Sequence, residues 1–137
     1  MRNLGLDLGD KRTGVAISDP QGVFAIPMTV IADKDEDATI NDIVRLIEQN
    51  KVECVVLGLP YSLDGTLGRQ ANKVKIFADK LSQAINLDIQ LWDERFSTTA
   101  ANRLMIEAGT KRKKKKQHRD AVAAAIILQG YLDSLRD

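Results

Sequence analysis

The segment Glu53–Leu59, reading ECVVLGL, is a nearly unbroken apolar run of strand length. A strand that is apolar on both sides of its pleat must be covered on both faces, so the chain has to layer helices above and below one sheet. The flanking sequence supplies them. Ile40, Ile43, Val44 and Ile47 follow the i, i+3, i+4, i+7 spacing of an amphipathic helix. Val74, Phe77, Ala78, Leu81 and Ile85 form a second helical stripe, and Asp88 to Trp92 reads as a further strand.

The N-terminal third has the other period. In Asn3 to Gly9, Leu4, Leu6 and Leu8 point one way and Gly5, Asp7 and Gly9 the other. Asp10 to Gly14 reads as a hairpin turn, Val15 to Ser18 alternates again, and Phe24 to Ile31 makes a third strand. Pro27 has no N–H for a ladder, which puts that third strand at the sheet edge. Beyond the fifth strand, Ser97 caps a helix using Ala101, Leu104, Met105 and Ala108 and stopped by Gly109. A last helix carries Ala121, Ala124, Ala125, Leu128, Leu132 and Leu135 on one face. The order β-β-β-α-β-α-β-α-α, with right-handed crossovers, predicts an α/β fold: one mixed five-stranded sheet in the order 3-2-1-4-5 with helices on both faces. No internal repeat or long linker divides the 137 residues, so a single domain spanning 1–137 is expected.

At 44% apolar residues, a chain of this length can bury roughly two-thirds of its unfolded surface without a staple. Cys54 is the only cysteine and His118 the only histidine, which excludes an internal disulfide and a Cys/His zinc site. The longest apolar run, Ala121 to Leu128, is far too short to span a membrane. Met1-Arg2-Asn3 leads straight into a strand pattern with no signal region. The expectation is a soluble cytoplasmic domain.

A formal net charge of +1 conceals an asymmetry. Residues 1–110 carry 12 basic and 16 acidic side chains, a balance of −4, whereas residues 111–137 carry 8 and 3, a balance of +5. Seven of those eight cations lie in Lys111-Arg112-Lys113-Lys114-Lys115-Lys116-Gln117-His118-Arg119. Such a block repels itself and reads as a solvated loop suited to gripping a polyanion. The plainer alternative is a basic tail without a partner, or a localisation-type signal. With one Trp, two Tyr and three Phe, base stacking is disfavoured, and backbone or shape recognition is favoured.

Three carboxylates stand out. Asp7 sits mid-strand opposite the leucine face of a central strand, and burying an ionised carboxylate costs several kcal/mol unless a cation or donors compensate it. Gly5 and Gly9 would leave open volume beside it; the plain alternative is an Asp accepting N–H bonds from the hairpin turn. Asp93-Glu94-Arg95 ends the fifth strand, and because adjacent residues face opposite ways, only one carboxylate can point at Asp7. Glu94 is the candidate, against a solvated Glu94–Arg95 pair. Asp120 opens the apolar face of the last helix, where a carboxylate benefits from the positive helix end, or simply caps it. Three carboxylates without histidines suit Mg²⁺ or Mn²⁺. Two such ions about 4 Å apart clamp the attacking and leaving oxygens of a phosphodiester, so no covalent nucleophile is needed. Arg12, Arg69 and Arg95 join the basic block as candidate phosphate contacts, and the loop after Gly58-Leu59-Pro60, with Ser62 and Thr66, lies where open sheets place ligands.

These residues together resemble the YqgF family (RuvX-like). The resemblance rests on Leu6-Asp7-Leu8-Gly9 with Arg12-Thr-Gly14 and Ser18-Asp19, then Gly58-Leu59-Pro60 with Asp64-Gly65. It continues through Asp93-Glu94-Arg95-Phe-Ser-Thr-Thr and Asp120-Ala-Val-Ala-Ala-Ala-Ile-Ile-Leu, in the same order, from about residue 4 to residue 132. Family members are described as Holliday-junction resolvases and as nucleases maturing the small-subunit ribosomal RNA precursor. The resemblance implies a ribonuclease-H-like fold and a metal-dependent phosphodiesterase site, with the family's first-strand aspartate falling on Asp7, its acidic pair before arginine on Asp93-Glu94 and its last-helix aspartate on Asp120. Related resolvases often carry a fourth carboxylate near the last one, and here Ala123 stands three residues after Asp120. Phe96, where a leucine is expected, is a minor departure.

The leading expectation is a Mg²⁺- or Mn²⁺-dependent endonuclease on structured nucleic acid, foremost in 5′-end maturation of the 16S ribosomal RNA precursor. Branched DNA is the alternative substrate; a two-fold homodimer would suit a four-way junction, although no exposed apolar stripe to build one is evident. A non-catalytic nucleic-acid binder is the third reading. Asp7-x-Gly9 and Gly14 also resemble the first phosphate-binding turn of sugar and acetate kinases, which need two such domains, and 137 residues cannot supply both.

Overall fold

The computed structural model describes residues 1–32, 35–60, 68–94 and 115–136, with 115–118 described through their backbone. The strands are β1 (Asn3–Leu8), β2 (Thr13–Ser18), β3 (Ala25–Ile31), β4 (Cys54–Leu59) and β5 (Asp88–Asp93); the helices are α1 (Glu36–Asn50), α2 (Arg69–Ala84) and α3 (Lys115–Ser134). They build one sheet in the order β3-β2-β1-β4-β5. The hairpin-linked strands β1–β2 and β2–β3 pair antiparallel, while β4 runs parallel to both β1 and β5. The expected helix at Ser97 to Gly109 lies outside the described residues. Among those residues no helix is long and apolar enough to cross a membrane.

The two-faced run of β4 explains the layering. Val55, Leu57 and Leu59 join Leu4, Leu6, Val15 and the stripes of α1 (Ile40, Ile43, Ile47) and α2 (Val74, Phe77, Leu81) in one core. Cys54 and Val56 turn to the other face, where they pack with Ala16 against Ala124, Ala125, Ile127, Leu128 and Leu132 of α3. At the far end of that face Trp92 meets Tyr131 edge-on, with ring centroids 5.8 Å apart. Asp35 caps α1 by accepting a 2.7 Å bond from the Ala38 N–H. Pro27 does lie on the edge strand, beside a bulge: Val15 pairs with Thr29 and Ala16 with Pro27, leaving Met28 as the extra residue.

Three expectations about the C-terminal region are corrected. The second half of the basic block, from Lys115 to Arg119, is helical and belongs to α3 rather than to a loop, whereas Lys111, Arg112, Lys113 and Lys114 lie outside the described residues. Asp120 is the sixth residue of α3, so it neither caps the helix nor sits in the first turn, where the dipole acts. Leu135 follows the end of α3 and is exposed, because the helix stops at Ser134 before its stripe can extend that far.

Small residues set the closeness of α3 to the sheet. A Cβ on Gly5 would stand 2.7 Å from the Leu128 Cβ, and one on Gly58 would stand 2.5 Å from the Ile127 Cδ1. At Gly14 the Asp120 carbonyl oxygen would be only 1.8 Å away, and backbone cannot swing aside as a side-chain tip can. Gly14→Ala is therefore expected to lower stability by about 3 kcal/mol, read as a shift of the urea midpoint. A loss below about 1 kcal/mol would mean that α3 can lift from β2 at little cost.

Candidate active site at the carboxyl end of the central strands

Asp7 is the penultimate residue of β1, on the face that α3 covers, and it pairs in register with Gly14 of β2. That same Gly14 carries the backbone of Asp120 against it, which places Asp7 beside the helix residue expected to join it. Burial, followed by the negative charge of Asp120, pushes the Asp7 carboxyl up to about 6. No described residue donates a hydrogen bond to it. The turn N–H that could have done so, that of Gly9, instead donates to the Arg12 carbonyl at 2.9 Å. The alternative of an Asp satisfied by hairpin amides therefore does not describe this residue. Nor do its flanking glycines leave open volume: Leu128 and the Ala124 carbonyl fill the space at Gly5, and the Arg12 carbonyl fills that at Gly9.

Glu94 follows β5 immediately. Its Oε1 lies 2.7 Å from where a Gly58 Cβ would stand, so the glycine at the end of β4 makes room for the carboxylate. Burial, then the charges of Asp7 and Asp93, push the Glu94 carboxyl up to about 7. Asp93 pairs in register with Leu59, whose side chain packs in the α1/α2 core, whereas Glu94 shares the field of Asp7.

Asp120 is only half assembled with the others. Its Oδ2 stands 3.1 Å from the Arg12 Nε. Arg12 leaves the β1–β2 turn, which Lys73 and Asp10 brace from the other side at 3.5 Å. Gln70, in the first turn of α2, donates to the Leu8 carbonyl at 3.1 Å and fixes the end of β1 next to Asp7. Among the described residues no group of three His, Cys, Asp or Glu side chains stands ready to enclose a metal ion. Arg69, first residue of α2, is exposed and so is Arg119; Arg95 lies outside the described residues. A cavity of about 320 Å³ beside the same turn lies on the α1/α2 face, where Leu8, Asp10, Asp35, Glu36, Thr39 and Phe77 are among its lining and Asp7, Glu94 and Asp120 are not.

Sequence reasoning missed two features. One is the Arg12–Asp120 pair, since Arg12 read only as a phosphate contact. The other is Gln129, which accepts from the Ala25 N–H at 2.9 Å and donates to the Val23 carbonyl at 3.0 Å, locking α3 to the start of β3. A lone amide bordering an otherwise apolar helix stripe was the available signal. Ser18 and Asp19, part of the motif set, serve the fold: Ser18 Oγ accepts from the Asn3 N–H, and Asp19 accepts from the N–H groups of Val23 and Phe24.

A family model described as "RuvX: Holliday junction resolvase" matches residues 1–134. A protein of Clostridium kluyveri named "Putative pre-16S rRNA nuclease" is 48% identical over 135 residues, covering 98% of each chain. A Clostridium botulinum protein of the same name is 47% identical over the same share. Among solved structures, Thermus thermophilus RuvC in complex with a Holliday junction superposes with a TM-score of 0.72 at 10% identity, over 99% of this chain and 95% of that one. The fowlpox virus resolvase with its junction DNA gives 0.62 at 12% identity over the whole of both. These two likenesses show a shared ribonuclease-H-like fold, and the full-length match in sequence establishes that the chain belongs to the RuvX family.

Proposed function

We propose that this chain, acting as one nuclease domain over residues 1–137, is a cytoplasmic divalent-metal-dependent endonuclease. Its substrate is the precursor of 16S ribosomal RNA, cut toward the mature 5′ end. The observation that carries the reading is Asp7, a half-buried carboxylate without a donor among the described residues that feels the charge of Asp120 and itself raises Glu94. Mutually repelling carboxylates in a half-buried cluster cost stability, and the cost is offset when a cation binds there.

The donor set fits Mg²⁺ or Mn²⁺: all oxygen, partly desolvated and short of positive charge. Asp7 and Glu94 would hold the ion, with Asp120 joining once freed from Arg12. When bound, such an ion neutralises charge on the phosphodiester and lowers the pKa of a water. The chain's own part is to orient. Gln70 and the Gly9–Arg12 turn fix the end of β1, Gly58 leaves room for Glu94, and the close seat of α3 sets Asp120. The basic block, Lys111 to Lys116 with Arg119, supplies the grip on a polyanion, aided by Arg69 and Arg95.

The precursor RNA is favoured as substrate by the two clostridial relatives, whose names specify it at nearly half identity over the whole chain. Branched DNA is the second reading, favoured by the description of the matching family. Cleavage of a precursor RNA beside a four-way DNA junction, with Mg²⁺ or Mn²⁺, separates them. Asp7→Asn is expected to abolish cutting and to leave binding intact or tighter, because it removes a negative charge. A variant that cuts normally would exclude the metal reading. Neutralising Lys113 to Lys116 should flatten the salt dependence of binding by about one unit of slope per lost phosphate contact. An unchanged slope would mean that the block does not touch substrate.

The raised carboxyls also set a pH dependence. Between 3.8 and about 6 for Asp7, and between 4.5 and about 7 for Glu94, the folded chain binds more protons than the unfolded one. Stability without divalent ions therefore falls as pH rises through that window. Urea midpoints in EDTA should be higher near pH 5 than near pH 7.5. Asp7→Asn should recover on the order of 2 kcal/mol at the higher pH. A flat profile would mean that the carboxylates are compensated by other groups.

A further inference from the structure

Arg12 and Asp120 make an ion pair at 3.1 Å between the β1–β2 turn and the first turns of α3. The site described above needs the same Asp120 carboxylate. The Arg12 guanidinium engages Oδ2, one of the two oxygens through which Asp120 could contact a cation, so the two compete for one carboxylate. We propose that Arg12 is a positioning residue that holds Asp120 in the cation-free protein and is displaced by the incoming divalent cation; this rests on the metal-dependent reading of the site.

Three observations support the exchange. The pair is weak enough to break: the Arg12 side chain is 47% and that of Asp120 28% exposed, and a solvated pair of this kind contributes about 0–1 kcal/mol. It is nevertheless well placed, because both ends sit on fixed backbone. The Gly9–Arg12 hydrogen bond closes the turn, and the contact of the Asp120 carbonyl with Gly14 anchors the helix end. Finally, Asp7 lies within the field of Asp120 and has no donor among the described residues, and Arg12 is a cation paired with that acidic group among them. Arg12 thus keeps α3 seated against the turn while leaving Asp7 and Glu94 open to the first contact with a cation.

The exchange predicts that removing Arg12 frees Asp120 and strengthens metal binding. Mn²⁺ affinity of the full chain, without nucleic acid, is measured by the electron paramagnetic resonance signal of free Mn²⁺ for wild type, Arg12→Gln, Lys11→Gln and Asp7→Asn. Lys11 is the control for net charge: it lies on the same turn, is exposed and makes no ion pair among the described residues. Arg12→Gln is expected to bind Mn²⁺ about two- to fivefold more tightly than wild type, and Lys11→Gln to change affinity much less. Thermal melts verify folding. Should Arg12→Gln fail to fold, Arg12→Lys, which keeps the charge but loses the planar fork, carries the comparison with a smaller gain. Equal gains from Arg12→Gln and Lys11→Gln would reduce the effect to net charge and overturn the exchange. So would unchanged or weaker binding by Arg12→Gln while Asp7→Asn abolishes the binding seen in wild type. Absence of Mn²⁺ binding in wild type and Arg12→Gln alike would overturn the metal reading, and this inference with it.

Discussion

The close seat of α3 on the sheet is the contact on which the rest depends. Gly5, Gly14 and Gly58 form a floor without side chains, and Ala121, Ala124 and Ala125 present small residues to it. A helix resting on ordinary side chains would stand several ångströms higher. It would then carry Asp120 away from Asp7 and leave Glu94 without the room that Gly58 provides. Packing and chemistry are here one requirement, since the glycines that let the helix approach are those beside the acidic residues.

The central position of β1 follows from the same economy of layers. Leu4 and Leu6 fill the α1/α2 core, so the opposite side of the strand is left for Gly5 and Asp7 under α3. A carboxylate in that place is held between two strands and is only partly open to solvent. Its raised pKa expresses this confinement. The structure tolerates the strain because the far end of α3, with Gln129 bonded to β3 and Tyr131 against Trp92, is firmly docked.

Much of this was legible in the sequence because it depends on period. The alternation in β1 placed Asp7 opposite the leucines, and the double-sided run of β4 demanded two layers. What escaped was set by tertiary approach. Gly5 and Gly9 read as space for a ligand, yet Leu128 and the Arg12 carbonyl occupy it, and no one-dimensional pattern reports which neighbour will come near. The start of α3 was misplaced because a run of like charges argues for a loop, whereas the helix continues through Lys115 and Lys116. Charge repulsion of exposed side chains is worth tenths of a kcal/mol per pair, too little to outweigh about four turns of buried apolar stripe behind it.

The ion pair of Arg12 shows why a motif cannot be divided cleanly into structural and chemical residues. The turn from Gly9 to Arg12 needs its glycine for the close approach of a carbonyl, and the guanidinium at its end reaches the helix carboxylate. Were Asp120 left unpaired, three negative charges would share a partly desolvated volume, and the sheet–helix contact at Gly14 would bear the repulsion. With a solvated arginine as partner, the repulsion is reduced by an interaction weak enough to yield. A buried, multiply bonded pair would protect the fold better but would be costly to open, because breaking such a pair leaves an uncompensated charge. The half-exposed geometry therefore suits a carboxylate that must be held in one state of the protein and released in another.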